Sequence, residues 1–387
     1  MATENNNKNL NVPNLRFPEF SGEWEKTTLG NIGETFNGLT GKSGADFGQG
    51  SPYITYKSIF DNSRIDLSRV ELVTITDQER QKGTQNKVQY GDIFFTTSSE
   101  TPEEVGMTSV LLDDIEDCYL NSFCFGYRLY SKEHILPEYM RFYLRTQGVR
   151  KKLFVLAQGS TRFNISKGEV MNVSVAIPEI KEQEKIAKFL SLLEERIDTQ
   201  IKIIEKLESL IKGLCLKLTQ QDKPNVALNE CLECYSSTLQ ESSVLESGVF
   251  PVYGATGICG YTNSPEVNGD SILIIKDGAS VGITYYASGE YSAIGTLNRL
   301  VAKSGYSLRY LYYCLKVFNF APYRTGLAIP HIYFRDYGKA QIWYPPMEVQ
   351  NRIANALEKV EQKITTEKSL LEQLYSQKRF LLNTMFI

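Results

Sequence analysis

Between Arg141 and Lys167 the chain carries Arg141, Arg145, Arg150, Lys151, Lys152, Arg162 and Lys167 with no Asp or Glu among them. From Arg299 to Arg335 it carries Arg299, Lys303, Arg309, Lys316, Arg324 and Arg335, again without an acid. Cations grouped without carboxylates suit a surface that tracks phosphates, although one such run is more often a solvated helix face. Here two runs occupy matching places, and each contains a Gly turn. The first turn is Gln158-Gly159-Ser160-Thr-Arg162-Phe-Asn164; the second is Thr325-Gly326-Leu-Ala-Ile-Pro-His331, with Tyr333 just beyond it. Gln, Asn and Arg have the two-pronged geometry that matches adenine and guanine edges. Gln158, Ser160, Arg162, Asn164, Thr325, His331 and Tyr333 are therefore the base-edge candidates. Arg141, Arg145, Lys151, Lys152, Lys167, Arg309, Arg324 and Arg335 are the phosphate candidates. The plainer alternative is that Asn164 and His331 only satisfy turn backbone.

Motifs for catalysis fail on inspection. Phe36-Asn-Gly-Leu-Thr-Gly41-Lys42-Ser43 ends like a phosphate-binding loop, but Phe36 stands where that pattern needs its first Gly. Tyr344-Pro345-Pro346 is like the Asn/Asp-Pro-Pro-Tyr of adenine methyltransferases, with Tyr in place of the residue that must hold the amino group. Only two His are present, Cys231-x-x-Cys234 has no second pair, and no metal-ligand spacing is found. The expectation is a non-catalytic chain with no metal site.

The two turns need a frame, and the sequence supplies one twice. Shifting the chain by 167 positions pairs Gly159 with Gly326, Ile165 with Ile332, Pro178 with Pro345 and Gln183 with Gln350. The same shift pairs Ile186-Ala187 with Ile353-Ala354, Leu190 with Leu357 and Ile197 with Ile364. Each copy runs as Gly turn, short strand, Pro and long helix, so the chain holds an internal duplication of two domain-sized units. In the first long helix, apolar residues recur every three or four positions from Ile186 to Leu218, giving one narrow seam. Some forty residues at ~1.5 Å each make a rod of roughly 60 Å, and a rod with one seam needs a partner. Ile186, Leu190, Ile197 and Ile204 should meet Ile353, Leu357, Ile364 and Leu374 across the helix pair.

The expected fold is therefore mixed α/β (α+β). Two strand-rich units stand in tandem, separated by two long helices packed as an antiparallel coiled coil. Residues 1–12 are expected to be a disordered leader and 13–178 the first unit. The central long helix is placed at 179–220, the second unit at 221–345 and the last long helix at 346–387. Strands are predicted at Tyr53–Ile59, Asp92–Thr96, Ser109–Leu112, Val173–Ile177, Val249–Tyr253, Ser271–Ile275, Gly282–Tyr286 and Gln341–Tyr344. Helices are predicted at Pro137–Leu156 and Leu308–Phe318. The net charge of −3 excludes a broadly basic protein. Seven Cys with no signal peptide and no apolar run of membrane-spanning length point to reduced thiols in the cytoplasm.

With these residues in place, the chain resembles the specificity (S) subunits of type I restriction–modification systems. The likeness rests on Pro13-Asn-Leu-Arg16-Phe-Pro-Glu-Phe…Trp24-Glu-Lys-Thr-Thr-Leu29-Gly30 and on the Gln158-Gly159-Ser160 turn. It rests most specifically on the Pro-x(4)-Gln-x-x-Ile-Ala entry into each long helix, at Pro178 and Pro345. The resemblance implies two target-recognition domains, each contacting one half of a bipartite, asymmetric double-stranded DNA site. It implies two methyltransferase (M) subunits as partners, with motor-nuclease (R) subunits in the full complex. S-adenosylmethionine, ATP and Mg2+ would then sit on those partners, and no cofactor on this chain. The second turn departs from the first, so the two halves should read different bases. Competing expectations are a coiled-coil assembly scaffold without DNA contact and, against the missing motifs, a single-chain restriction enzyme.

Overall fold

The computed structural model describes residues 11–82, 87–326 and 328–387. Most of the predicted leader lies outside the described residues. At its end, the carbonyl of Asn11 accepts a hydrogen bond from the Trp24 N–H at 2.8 Å. The chain divides into two compact units: Met1–Asp198 with Glu372–Ile387, and Thr199–Leu371. Among the described residues no helix is long and apolar enough to cross a membrane.

In the first unit a four-stranded antiparallel sheet runs Gly33–Asn37, Cys124–Leu129, Ile93–Thr96, Thr108–Val110. The Ile-Phe-Phe-Thr strand is buried along its whole length, so both its faces carry core. Phe95 joins the cluster of Phe125 and Tyr127, while Phe94 joins Ile54 and Leu120 on the other side, as a period of two requires. A second sheet orders Glu71–Val73, Phe47–Ile54, Tyr119–Leu120, and its last pair is parallel. A ribbon of Glu25–Thr28 with Ser174–Ile177 delivers the chain to Pro178 and the central helix, Ile180–Thr219.

The second unit repeats the plan. Its main sheet runs Leu232–Ser236, Leu297–Ala302, Ser271–Ile275, Thr284–Ala287. A second sheet runs Gly257–Thr262, Phe250–Gly254, Glu290–Ala293, Val267–Asn268, again with one parallel pair. A ribbon of Val226–Ala227 with Gln341–Ile342 leads to Pro345 and the last helix, Met347–Thr384. The duplication therefore extends through both globular parts, where loops of different length had hidden it from a single sequence offset.

The two long helices run antiparallel within each unit. In the first, Ile186 and Leu190 share a core with Leu381, Met385 and Phe386, and Lys378 reaches Glu194 at 2.5 Å. In the second, Ile211 and Cys215 share a core with Ile353, Leu357 and Ile364, and Lys368 reaches Glu208 at 2.6 Å. Ile197 and Ile204 are buried as well, and Leu374 is half-buried. Each helix begins with a buried Gln that bonds back to the proline turn. Gln183 Nε2 donates to the Pro178 carbonyl at 2.8 Å, and Gln350 Nε2 to that of Pro345 at 2.6 Å.

Two predicted elements come out differently. The segment Tyr53–Ile59 is the end of one strand and the start of a helix, Tyr56–Asp61, because Thr55 caps it by accepting from the Ser58 N–H at 3.2 Å. The predicted Pro137–Leu156 helix is two, Pro137–Tyr143 and Gln147–Phe154. Thr146 ends the first by donating to the Tyr143 carbonyl at 2.7 Å and caps the second.

Candidate nucleic-acid interface

The two Gly turns are closed by the same pair of backbone bonds. In the first, Gln158 and Asn164 exchange N–H···O bonds at 2.9 and 2.8 Å; in the second, Thr325 and His331 do so at 2.9 and 2.7 Å. Gly159 and Gly326 both take positive φ, +135° and +89°. A Cβ at Gly159 would lie 2.1 Å from the Arg162 carbonyl, and one at Gly326 would lie 2.3 Å from that of Ile329. Only Gly fits either place. Each turn is then stitched to the end of a central strand of its sheet. Ile165 N donates to the Thr97 carbonyl at 2.9 Å and Ile332 N to that of Lys276 at 3.0 Å. Thus two unlike sequences are closed by matching backbone bonds on matching strand ends.

These turns carry most of the base-edge candidates outward. Gln158, Ser160, Arg162, Asn164, Thr325 and Tyr333 are exposed, and His331 is half-buried. Gln158 makes a long contact to Glu169 at 3.4 Å, and Asn164 Nδ2 one to the Arg162 carbonyl at 3.3 Å. Both are weak enough to exchange for a ligand. Thr325 Oγ1 touches the His331 carbonyl at 3.4 Å. His331 differs: its Nδ1 lies 2.7 Å from Asp277 Oδ1.

The phosphate candidates separate into two groups. Arg145 points inward, its Nε on the Thr108 carbonyl at 2.6 Å and its Nη2 on those of Ile59, Phe60 and Asn62 at 2.8, 3.1 and 2.7 Å. It caps the carbonyl end of the Tyr56–Asp61 helix, where a cation is favoured. Arg150 does likewise for Glu103, Val105 and Gly106 at 2.6 to 2.7 Å. Burial lowers both guanidinium pKa values to about 10. Arg141 pairs with Glu194 and contacts Ser63, while Lys152 donates to the Ser174 carbonyl at 2.8 Å. Lys167 is bonded to Asn37. Much of the first acid-free run is thus explained by carbonyl capping, and Arg145 is corrected from a phosphate contact to a structural cap. Lys151 and Arg162 remain exposed. In the second unit Arg309 lies 3.0 Å from Glu358 and stacks over Tyr286, whereas Arg324 and Arg335 face outward. Arg324 touches the Val281 carbonyl at 3.2 Å, and Arg335 lies 3.8 Å from Asp336.

The supporting strand ends were missed from sequence. Thr97 bonds the Phe123 carbonyl through N–H and hydroxyl at 3.0 and 2.7 Å, and the Phe123 ring is 59% exposed beside it. Its counterpart is Lys276-Asp277-Gly278, where Gly278 N donates to the Pro330 carbonyl at 3.0 Å. An apolar strand ending in polar residues was the available signal, but nothing in the sequence tied it to the turns. Lys42, from the loop that resembles a phosphate-binding motif, is bound to Glu79 and the Thr74 carbonyl at 2.6 and 2.7 Å. Among the described residues no cluster of His, Cys, Asp and Glu is arranged to hold a metal.

Comparison with known proteins places these features. The profile of the type I restriction modification DNA specificity domain matches residues 21–209 and 227–376. The chain is 27% identical over 214 residues to a putative type I restriction enzyme MjaX specificity subunit of Methanocaldococcus jannaschii, covering 54% of this chain and 49% of that one. It is 26% identical over 192 residues to the putative type I specificity subunit S.MpnORF638P of Mycoplasma pneumoniae, covering 44% and 51%. This chain spans about half the length of the curated relatives it matches. The crystal structure of a type I restriction–modification S subunit from M. genitalium superposes with a TM-score of 0.62 at 18% identity, covering 97% of this chain and 99% of that one. The two chains share the fold.

Proposed function

This chain belongs to the type I restriction modification DNA specificity domain family, and from that premise we propose that it selects the DNA site of a type I restriction–modification complex. Each globular unit reads one half of a bipartite, asymmetric duplex site. The helix pair sets the unread spacer and docks two methyltransferase subunits, and motor-nuclease subunits join in the full complex. S-adenosylmethionine, ATP and Mg2+ belong to those partners in this reading. The observation that carries it is the pair of turns with identical backbone bonding and different side chains, at Gln158–Asn164 and Thr325–His331. A frame kept constant while its outward residues diverge suits two readers of different sequences. Exposed apolar side chains on the long helices support docking: Leu192 and Phe380 in one unit, Ile203 and Leu210 in the other.

The test is selection from a pool of random duplexes by the full chain, alone and with its methyltransferase subunits. Enrichment of one split site, two short specified segments around an unspecified spacer, is expected. Recovery of random duplexes in both arms refutes the reading and leaves the scaffold alternative.

A further inference from the structure

We infer that Asp277 fixes the ring of His331 so that Nε2 faces the duplex as a hydrogen-bond acceptor, and that this pair selects a base carrying an exocyclic amino group, adenine or cytosine, in the second half-site. The inference rests on the DNA-reading function proposed above and assigns one position within it.

The backbone around the pair leaves little freedom. His331 N donates to the Thr325 carbonyl at 2.7 Å, Ile332 N to that of Lys276 at 3.0 Å, and Gly278 N to that of Pro330 at 3.0 Å. His331 and Asp277 are opposed as an antiparallel bridge, and the side chains meet with Nδ1 2.7 Å from Oδ1. A carboxylate oxygen accepts, so the 2.7 Å contact puts a proton on Nδ1, and the tautomer with its single proton there leaves the Nε2 lone pair free to accept. Among the described residues no hydrogen bond engages Nε2, and the side chain is 35% exposed. In the major groove the donors that such an acceptor meets are adenine N6–H and cytosine N4–H; guanine and thymine present acceptors there.

The first unit supports the choice of position. Asn164 stands where His331 stands, and Ser98 opposes it in register as Asp277 opposes His331. One structural position thus carries an amide in one half and a carboxylate-held imidazole in the other. That is the pattern of a specificity position with its local support, and Asp277 is the positioning residue.

The experiment is the same duplex selection by the full chain with its methyltransferase subunits, run on unmodified protein, His331→Ala, Asp277→Leu and Asp277→Asn. Unmodified protein should fix one base pair of one half-site in a single strand orientation, with adenine or cytosine on the contacted strand. His331→Ala and Asp277→Leu should each relax that base pair about tenfold, the scale of one lost base-edge contact. The other half-site should keep its preferences, which separates a lost contact from a lost fold. An amide can donate as well as accept, so Asp277→Asn permits the other tautomer and should admit the same base pair in the reverse orientation, with guanine or thymine on the contacted strand, a change that loss of packing would not produce. Unaltered preferences in all three variants, losses spread over both half-sites, or an Asp277→Asn variant that keeps the parent's strand orientation at that base pair overturn the inference. Unmodified protein that enriches no split site at all removes the functional reading and this inference with it.

Discussion

Gln200 and Glu367, 167 positions apart, meet across the helix pair. Gln200 Nε2 donates to the Glu367 carbonyl at 3.1 Å and also bonds its carboxylate, with both residues buried. They are equivalent positions of the duplication, so the antiparallel pair closes on its own repeat. A buried polar contact in an apolar seam fixes register at some expense of stability. Gln200→Leu should lower stability by about 1–3 kcal/mol, because the buried Glu367 carbonyl and carboxylate lose their shared amide donor, while Lys363 still pairs with the carboxylate. Gln200→Leu with Glu367→Leu should recover most of that loss, as apolar replacements of both partners often do. Chemical denaturation of the three proteins checks this; a double variant no more stable than the single one contradicts it.

The inward and outward cations of the first acid-free run should behave in opposite ways. Arg145→Ala exposes no phosphate-binding charge but orphans the Ile59, Phe60 and Asn62 carbonyls. It should destabilise the fold by roughly 1–3 kcal/mol and leave the salt dependence of DNA binding unchanged. Lys151→Ala, at an exposed position, should spare stability and reduce the log–log salt slope by about one. Melting curves and salt titrations on both variants distinguish the two roles, and a reduced slope in Arg145→Ala would reverse the assignment.

These two Arg and Lys residues show where sequence reading stops. Both lie in one acid-free run, and composition cannot tell which faces solvent. That depends on the Tyr56–Asp61 helix ending beneath position 145, a contact across more than eighty residues of chain. The long helices, by contrast, were legible because a three-and-four apolar spacing over forty residues admits one structure. The paired turns were legible too, since Gly159 and Gly326 sit in register with Ile165 and Ile332. The strand ends beneath them were not, because loop lengths differ between the units and Thr97 no longer aligns with Lys276 at the same offset. The segment Tyr53–Ile59 failed for a local reason: β-branched and aromatic residues suggested a strand, and the cap at Thr55 overrode them.

Asp117 predicts an acid-side effect. It takes a left-handed φ of 52° and accepts from Ser51 and Tyr119 at 2.7 and 3.1 Å, with Lys87 and Arg80 each at 2.7 Å. Partial burial raises its pKa, but Lys87, Ser51 and Tyr119 together outweigh that and hold it well below the ordinary 3.8. A carboxylate depressed by folding contributes stability that is fully present above its unfolded value and is lost as pH falls toward the folded one. Asn tolerates the left-handed conformation, so Asp117→Asn isolates the charge. The variant should be less stable than the parent by about 1–3 kcal/mol at neutral pH, with the gap closing below pH 3.8. Urea titrations at pH 7 and pH 3 measure it; an equal gap at both would assign the effect to packing.

The last prediction concerns transfer of specificity between the halves. Because the two turns share their backbone bonds, Asn164→His should fold: the new side chain leaves an exposed position and the Gln158–Asn164 exchange uses backbone atoms alone. The imidazole would nonetheless lack its carboxylate, since Ser98 stands where Asp277 stands in the other unit. A ring free to present either nitrogen discriminates poorly between donors and acceptors, so Asn164→His alone should weaken the first half-site preference at one base pair without creating a new one. Adding Ser98→Asp supplies the missing acceptor in register. The double variant should then fix that base pair in a single strand orientation, with adenine or cytosine on the contacted strand and the second half-site untouched. Selection from random duplexes reads all three proteins. If the single and double variants select the same first half-site, the carboxylate does not orient the ring and position 164 is not read through its support.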